Sequence, residues 1–237
     1  MKVNPLSFAQ RLIVTFVLGI IMTGCAHSDP RDSMKALPTP APTVVIVHGY
    51  AAGPNDHWFR WLADELAAYG ATAKIVELPN SSDPDPMEWE TSLQRQVGKI
   101  SEETYIVAHS LGCVSVLGLL SNTEEESFQS THLGGLVLVS GFTESLSLLP
   151  ELDTFTSRPL NLDAVRDIDA PIAVLLSTDD PIVPPDDTRN LAIALGAELT
   201  EIPLSGHFLG RDGYTTFPQV RDIVLRMINS EQASQQH

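Results

Sequence analysis

The stretch YIVAHSLGCVSV, residues 105–116, places a serine between two different hydrophobic patterns. Its first three residues continue an apolar run of β-formers, which is typical of a strand buried on both faces. From Leu111 onward the residues are small and apolar, which predicts a buried helix. Ser110 lies at the junction, with Ala108 two residues before it and Gly112 two residues after it. The stretch therefore predicts a strand, a tight turn that carries Ser110, and a helix.

Short apolar runs alternate with helical patterns on both sides of this stretch. We predict strands at 43–49, 72–78, 104–109, 134–141, 171–178 and 197–204. Helices are expected from a cap at Asn55 or Asp56 to Gly70, from Asp85-Pro86 to about 100, after Ser110, at 186–196 and at 216–230. This alternation predicts an α/β fold with about six mostly parallel strands and helices on both faces. Sites in such sheets lie in loops at the carboxyl ends of the strands.

The composition limits the number of domains and the classes of partner. The chain has 237 residues, of which 43% are hydrophobic, enough for one domain that we place at 43–230, followed by a polar tail at 231–237. A formal charge of −16 argues against nucleic-acid binding, which needs a basic face. The sequence has neither a G-x-G-x-x-G nor a P-loop motif, so nucleotide binding has no support. The two cysteines argue against a disulfide framework and against a cysteine zinc site. We expect no metal or cofactor.

The first 24 residues have the pattern of a bacterial signal peptide. Lys2 and Arg11 precede an apolar run at 12–22, too short to span a bilayer comfortably, and Met22-Thr23-Gly24-Cys25 resembles a lipobox. We therefore expect cleavage before Cys25 and a lipid on its thiol, with 25–42 as a proline-rich linker. By resemblance to bacterial lipoproteins, Ala26 favours the outer membrane, on its periplasmic face, over the inner membrane. An ordinary secretory signal with an incidental cysteine is the alternative.

A serine at such a turn needs a base and an orienting acid before it can act as a nucleophile. In α/β-hydrolases these follow in the order serine, acid, histidine. The hydrolase pattern D-x-x-V-P selects Asp180 in STDDPIVP, residues 177–184, and Asp179 is the alternative acid. His207 lies in a glycine-containing loop after the last predicted strand, where the base is expected. Ser110, Asp180 and His207 are therefore the predicted catalytic residues.

The oxyanion of an acyl-transfer intermediate needs two N–H donors. Leu111, directly after the serine and at a helix N-terminus, is predicted to supply one of them. The other is expected in the loop after the first strand, from Tyr50 or, as the second choice, Ala51. His48 is expected to shape this loop, and Cys113 is expected to be a core residue.

Four segments together resemble the small YdeN-type serine hydrolases, the family that includes retinoblastoma-binding protein 9. They are VVIVHGYAAGPNDHWFRWL, AHSLGC, STDDPIVP and GHFLGRDGYTTFP, and the resemblance covers roughly residues 43–230. It implies a compact α/β-hydrolase without the first strands of larger relatives, and it implies Ser110, Asp180 and His207 as the catalytic triad. It implies no particular substrate. Ala108 departs from the first glycine of G-x-S-x-G, and alanine is a tolerated variant there.

The expected reaction is carboxylesterase-like hydrolysis of a small ester or thioester through an acyl-enzyme. Amide or peptide hydrolysis uses the same residues, and a non-catalytic envelope lipoprotein that uses the fold for binding is the other alternative. Between the fourth and fifth strands, the segment 142–168 either walls an acyl pocket or folds onto the core. The apolar residues in question are Leu146, Leu148, Leu149, Leu152 and Phe155.

Overall fold

The computed structural model describes residues 41–121 and 132–234, with backbone only for 232–234. Its strands are β1 (Thr43–Val47), β2 (Thr72–Ile75), β3 (Thr104–His109), β4 (Gly135–Val139), β5 (Ile172–Ser177) and β6 (Glu198–Ile202). All pair in parallel, in the order β2-β1-β3-β4-β5-β6. The predicted six-stranded α/β fold is confirmed, and within the described residues the sheet is entirely parallel.

Helices cover both faces of this sheet. They are α1 (Phe59–Ala68), α2 (Pro86–Val97), α3 (Leu111–Ser121), α4 (Asp153–Thr156), α5 (Leu162–Arg166), α6 (Pro185–Leu195) and α7 (Pro218–Ser234). Apolar residues of α1 and α7 form one buried cluster with alternate residues of the central strands. Apolar residues of α2, α3 and α6 form a second cluster with the strand residues that point to the other face of the sheet. Successive strand residues point to opposite faces, so this division follows from the pleat.

The helix α2 begins as the sequence predicts. Asp85 is its N-cap, and one carboxylate oxygen accepts from the N–H groups of Met87 and Glu88 at 2.9 and 3.0 Å. Pro86 occupies the first helical turn, where a backbone N–H has no partner within the helix, so its absence costs no hydrogen bond. The side chains of Trp89 and Leu93 are fully buried against the sheet.

Several predicted boundaries were wrong, and the contacts of the structure explain three of them. The first helix begins at Phe59, not after a cap at Asn55 or Asp56, because His57 has a left-handed φ of 54° and the Asp56 carboxylate accepts from Gly53 instead. The strand β2 ends at Ile75, before the predicted 78, since the Leu78 N–H turns to the imidazole of His48. The last helix continues to 234, into the segment predicted as a tail.

The connection between β3 and α3 is a single residue. Ser110 has a φ of 54°, a left-handed conformation that a non-glycine residue adopts at some cost in free energy. Behind it, Gly112 lies so close to β1 that an added Cβ would be 2.4 Å from the His48 carbonyl oxygen. A Cβ on Gly49 would be 2.9 Å from the Ser110 Cβ. Ala108, by contrast, is buried in the core, so its methyl is accommodated. The tight turn therefore depends on two glycines rather than on a glycine at 108.

The segment 142–168 is mostly folded onto the core. Leu146, Leu152 and Phe155 are buried in the cluster under α2 and α3, whereas Leu148 is 67% exposed. Of the two alternatives drawn from the sequence, the core-packed loop describes most of these residues.

Among residues 41–121 and 132–234, no helix combines the length and the apolar character that crossing a bilayer requires. The predicted signal peptide, Cys25 and the linker up to residue 40 lie outside the described residues.

Two glycines of α3 provide a matched test of the close approach to β1. We expect Gly112→Ala to lower the free energy of unfolding by about 1–3 kcal/mol, because its Cβ has no space beside the His48 carbonyl. Gly118→Ala in the same helix places its Cβ 3.8 Å from Leu160, an ordinary contact. It should raise the free energy of unfolding by up to about 1 kcal/mol, since alanine is the better helix former. Urea unfolding measures both, and equal effects would contradict the clearance argument.

Candidate active site

Ser110, His207 and Asp180 form a continuous hydrogen-bonded chain at the carboxyl edge of the sheet. The Ser110 Oγ lies 2.9 Å from Nε2 of His207, and Nδ1 of His207 lies 2.7 Å from Oδ2 of Asp180. All three side chains are nearly buried. A carboxylate only accepts, so Nδ1 carries the proton, and Nε2 of the neutral ring accepts from the serine hydroxyl. This arrangement can remove a proton from Ser110.

The Asp180 carboxylate has further donors besides His207. The Ser140 hydroxyl donates to Oδ2 at 2.7 Å, and the N–H groups of Ile182 and Val183 donate to Oδ1 at 2.9 and 3.0 Å. A buried carboxylate is costly unless such bonds surround it. Asp180 is thereby held as an ordered acceptor, oriented toward the imidazole.

Asp179, the alternative acid, faces a different group. Its Oδ1 accepts from the Ser177 hydroxyl at 2.7 Å and from the N–H groups of Ser205 and Gly206 at 2.8 and 3.2 Å. The Ser177 bond, followed by these backbone bonds, lowers the pKa of Asp179. Asp179 therefore anchors the loop before His207 and makes no bond to the imidazole.

Two other residues hold the backbone around His207. Asp212 accepts from the N–H groups of His207 and Leu209, both at 3.0 Å. Nε2 of His109 lies 2.9 Å from the His207 carbonyl oxygen and must donate to it, since a carbonyl only accepts. Burial lowers the pKa of His109 well below its ordinary value, so His109 is neutral, with its proton on Nε2. Its Nδ1 is buried and has no partner among the described residues.

His48 bridges two loops. Its Nε2 accepts from the Leu78 N–H at 3.1 Å, so Nδ1 carries the proton and donates to the Gly49 carbonyl at 2.9 Å. Burial lowers its pKa, which keeps the ring neutral. These contacts agree with the loop-shaping role expected for His48.

Two backbone N–H groups beside Ser110 have no protein acceptor among the described residues. One is that of Leu111, the first residue of α3, and the other is that of Tyr50. The Ala51 N–H donates to the Ser81 carbonyl at 2.7 Å and is therefore already used. Of the two residues considered in this loop, only Tyr50 retains a free donor.

A pocket of about 300 Å³ opens over Ser110 and His207. Leu149 and Ile182 line its apolar side, so one leucine of the 142–168 segment does contribute to a pocket wall. His57, Tyr50 and Arg211 line the polar side. Burial, as the main cause, lowers the pKa of His57, whose Nδ1 accepts from the Gly210 N–H at 3.1 Å.

Cys113 is buried one turn after Ser110, and its thiol donates to the Val139 carbonyl at 3.6 Å. Burial raises its pKa, as expected for a core residue. Within residues 41–121 and 132–234, no three histidine, cysteine or acidic side chains are arranged to hold a metal ion.

Four residues of the site were not predicted from the sequence: Ser140, His109, Asp212 and Arg211. Ser140 and His109 each stand at the carboxyl end of a predicted strand, the position at which functional residues were sought. That position was a usable signal for both. Asp212 and Arg211 have no comparable signal, since both lie in a short 3₁₀ turn that follows no predicted strand directly.

Comparison with known proteins supports a specific family. A family model described as serine hydrolase matches residues 44–226. The chain is 38% identical to YdeN of Bacillus subtilis (strain 168) over 188 residues, which are 79% of this chain and 97% of that protein. It is 26% identical to the serine hydrolase RBBP9 of Rattus norvegicus over 205 residues, 81% of this chain and 97% of that protein.

Solved structures agree with this comparison. The crystal structure of the ydeN gene product from B. subtilis superposes with a TM-score of 0.74 at 37% identity, over 80% of this chain and all of that one. Est1E from Butyrivibrio proteoclasticus superposes with a TM-score of 0.60 at 15% identity, over 84% of this chain and 93% of that one, a likeness of fold alone.

Three histidines with lowered pKa values make stability depend on pH. His48, His57 and His109 have pKa values below the ordinary 6.5, so the unfolded chain binds protons that the folded chain does not. The contribution of these three groups to the free energy of unfolding is fully present above pH 7 and is lost as the pH drops through 6.5. We expect His109→Gln, which can keep the donor to the His207 carbonyl, to reduce the loss between pH 7 and 5.5 by about 1 kcal/mol.

Urea unfolding at the two pH values measures this effect. His109→Leu is the control, because it removes the titrating ring together with the hydrogen bond. It should show the same shallow pH dependence and a lower stability at pH 7. A glutamine variant that keeps the full pH dependence of the wild type would contradict a neutral, buried His109.

Proposed function

The chain belongs to the serine hydrolase family, and from that membership we propose that it cleaves a small carboxylic ester or thioester through an acyl-enzyme on Ser110. The observation that carries the proposal is the hydrogen-bonded chain from the Ser110 Oγ through His207 to Asp180. It lies at the floor of a pocket, at the edge of the sheet where α/β proteins place their sites.

In the proposed reaction, Ser110 Oγ attacks the ester carbonyl carbon while its proton moves to Nε2 of His207. Asp180 stabilises the imidazolium through its bond to Nδ1. The intermediate then expels the alcohol or thiol, which takes the proton from His207. A water molecule, deprotonated by the same nitrogen, attacks the acyl-enzyme, releases the acid and restores Ser110.

The free N–H groups of Leu111 and Tyr50 are the proposed oxyanion donors. Leu111 directly follows Ser110, Tyr50 lines the same pocket as Ser110, and neither N–H group is used within the described residues. Losing one donor of this kind costs roughly 10²–10³ in rate in other hydrolases, so a free pair beside a serine supports acyl transfer.

The size of the pocket supports a small substrate. A volume of about 300 Å³ lies at the lower end of the range for small-molecule sites. Leu149 and Ile182 offer an apolar wall to a short acyl chain. A carboxylesterase-like reaction fits this pocket better than cleavage of a bulky peptide.

The proposal is tested with a fluorophosphonate probe and p-nitrophenyl esters of graded chain length. We expect the wild type to be labelled and to hydrolyse the short esters. Ser110→Ala should lose labelling and at least 10³-fold in kcat/KM, because the nucleophile is gone. Asp180→Asn should lose about 10⁴-fold in kcat, since the imidazole is no longer held in the required tautomer.

Asp179→Asn is the matched control for Asp180→Asn. It changes the neighbouring carboxylate, which contacts Ser205 and Gly206 but not His207. It should lower the melting temperature and leave kcat near the wild-type value. A folded wild type that neither labels nor hydrolyses any ester would instead favour the non-catalytic binding protein.

We also propose that Cys25 is lipidated and anchors the enzyme to the outer membrane, on its periplasmic face. The support is the sequence pattern of residues 1–25, a basic start, a short apolar run and the lipobox-like Met22-Thr23-Gly24-Cys25.

Radiolabelled palmitate tests the anchor. We expect incorporation into the wild type and its loss in Cys25→Ser, with the protein moving from the membrane to the soluble fraction. Cys113→Ala, which changes the buried cysteine, should label like the wild type. Incorporation that persists in Cys25→Ser would refute the assignment.

A further inference from the structure

Arg211 is the one permanently charged side chain in the lining of the pocket over Ser110, as far as the described residues show. It makes no hydrogen bond or ion pair within that part of the chain. Most other arginines there have an acidic partner. They are Arg158 with Glu90, Arg166 with Asp163, Arg189 with Glu201, Arg221 with Glu65 and Arg226 with Glu198.

The charge of the whole chain makes this unpaired cation notable. With 30 acidic and 14 basic residues, the protein has no shortage of carboxylates that could pair with Arg211. The carboxylate next to it, Asp212, is instead occupied by the N–H groups of His207 and Leu209. Arg211 is exposed to solvent where it lines the pocket, and its guanidinium donors are free.

The turn that carries Arg211 is held from two sides. It is a short 3₁₀ turn, Gly210–Asp212. At its start, the Gly210 N–H donates to Nδ1 of His57 at 3.1 Å, and at its end the Asp212 carboxylate binds the backbone around His207. His57 holds its position in a left-handed conformation, with a φ of 54°. The backbone of Arg211 is thus tied to the same loop that positions the proposed base.

The remaining polar groups of the pocket do not neutralise Arg211. Burial lowers the pKa of His57, which leaves that ring uncharged at neutral pH. The Tyr50 hydroxyl is directed to Glu151 at 3.3 Å. A neutral ester would gain little from a free guanidinium in this pocket, whereas a carboxylate can accept two parallel hydrogen bonds from it.

We propose that Arg211 selects esters or thioesters that carry a carboxylate within a few carbon atoms of the scissile carbonyl. The substrate class is then an anionic short-chain ester, such as a monoester of a small dicarboxylic acid. This inference rests on the proposed function, because it concerns the same pocket and the same acyl transfer to Ser110. It also identifies a local attraction for an anion in a protein whose overall charge repels one.

Two pairs of esters test the inference. On the acyl side, the p-nitrophenyl monoester of glutaric acid is compared with p-nitrophenyl valerate. On the alcohol side, 3-acetoxypropanoate is compared with propyl acetate. We expect the wild type to prefer the charged member of at least one pair about tenfold in kcat/KM, the lower end of the range for a charge-assisted hydrogen bond. The pair that shows the preference tells which side of the ester carries the carboxylate.

Variants then assign the preference to Arg211. In Arg211→Gln the ratio of kcat/KM for the charged ester to kcat/KM for the neutral ester should fall to about one, because the KM for the charged ester rises. Arg211→Lys should keep part of the preference. Arg95→Gln is the control, since it removes the same charge from α2, outside this pocket. It should leave the ratio and the activity as in the wild type.

The outcomes separate the two proposals. A wild type that hydrolyses neither member of either pair contradicts the proposed function itself. Hydrolysis of the neutral esters with no preference in either pair overturns only the role of Arg211. A preference that persists in Arg211→Gln, or that Arg95→Gln also removes, overturns it as well.

Discussion

The close approach of the β3–α3 turn to the end of β1 is the constraint on which the site depends. Gly112 and Gly49 leave no space for a Cβ on either side of this contact. Ser110 occupies the left-handed conformation that lets a strand pass directly into a helix. The same contact sets the first N–H of α3 beside the loop of Tyr50. The methyl group of Ala108 does not disturb this close approach, because the Ala108 side chain is buried in the core.

The loops around this turn are held mainly by carboxylates that bind backbone N–H groups. Asp179 binds the chain before His207, Asp212 binds the chain at and after it, and Asp180 binds its own loop as well as the imidazole. Loops at the end of a parallel sheet leave N–H groups without ladder partners, and buried N–H groups require acceptors. Part of the acidic excess of the chain therefore has a structural use at the site.

Local patterns in the sequence were enough to predict much of this arrangement. The alternation of strands and helices predicted the sheet, and the position of each residue after its strand brought Ser110, Asp180 and His207 to one edge. The spacing of Asp180 from Val183 distinguished it from Asp179, and in the structure the Val183 N–H is one of its donors. The start of α1 was missed because the helical pattern shows neither the left-handed backbone of His57 nor the bond of Asp56 to Gly53, and the His57 ring binds Gly210 in a distant segment. Arg211 was missed for the same reason, since its relevance comes from the pocket that distant segments form.

The histidines near the site add no positive charge to it, although there are several of them. The His109 ring packs against that of His207, His57 lines the same pocket, and His48 binds the Gly49 carbonyl. Burial lowers the pKa of all three, so they contribute donors and acceptors without charge. Cationic imidazoles beside His207 would oppose the positive charge that it gains in the proposed acyl transfer. Because these rings are neutral, Arg211 is the permanent cation of the pocket lining among the described residues, while carboxylates bind the His207 loop, Asp180 at the imidazole and Asp212 and Asp179 at the backbone. In the proposed reaction Asp180 stabilises the protonated His207, and in the proposed substrate selection Arg211 binds the carboxylate of the ester.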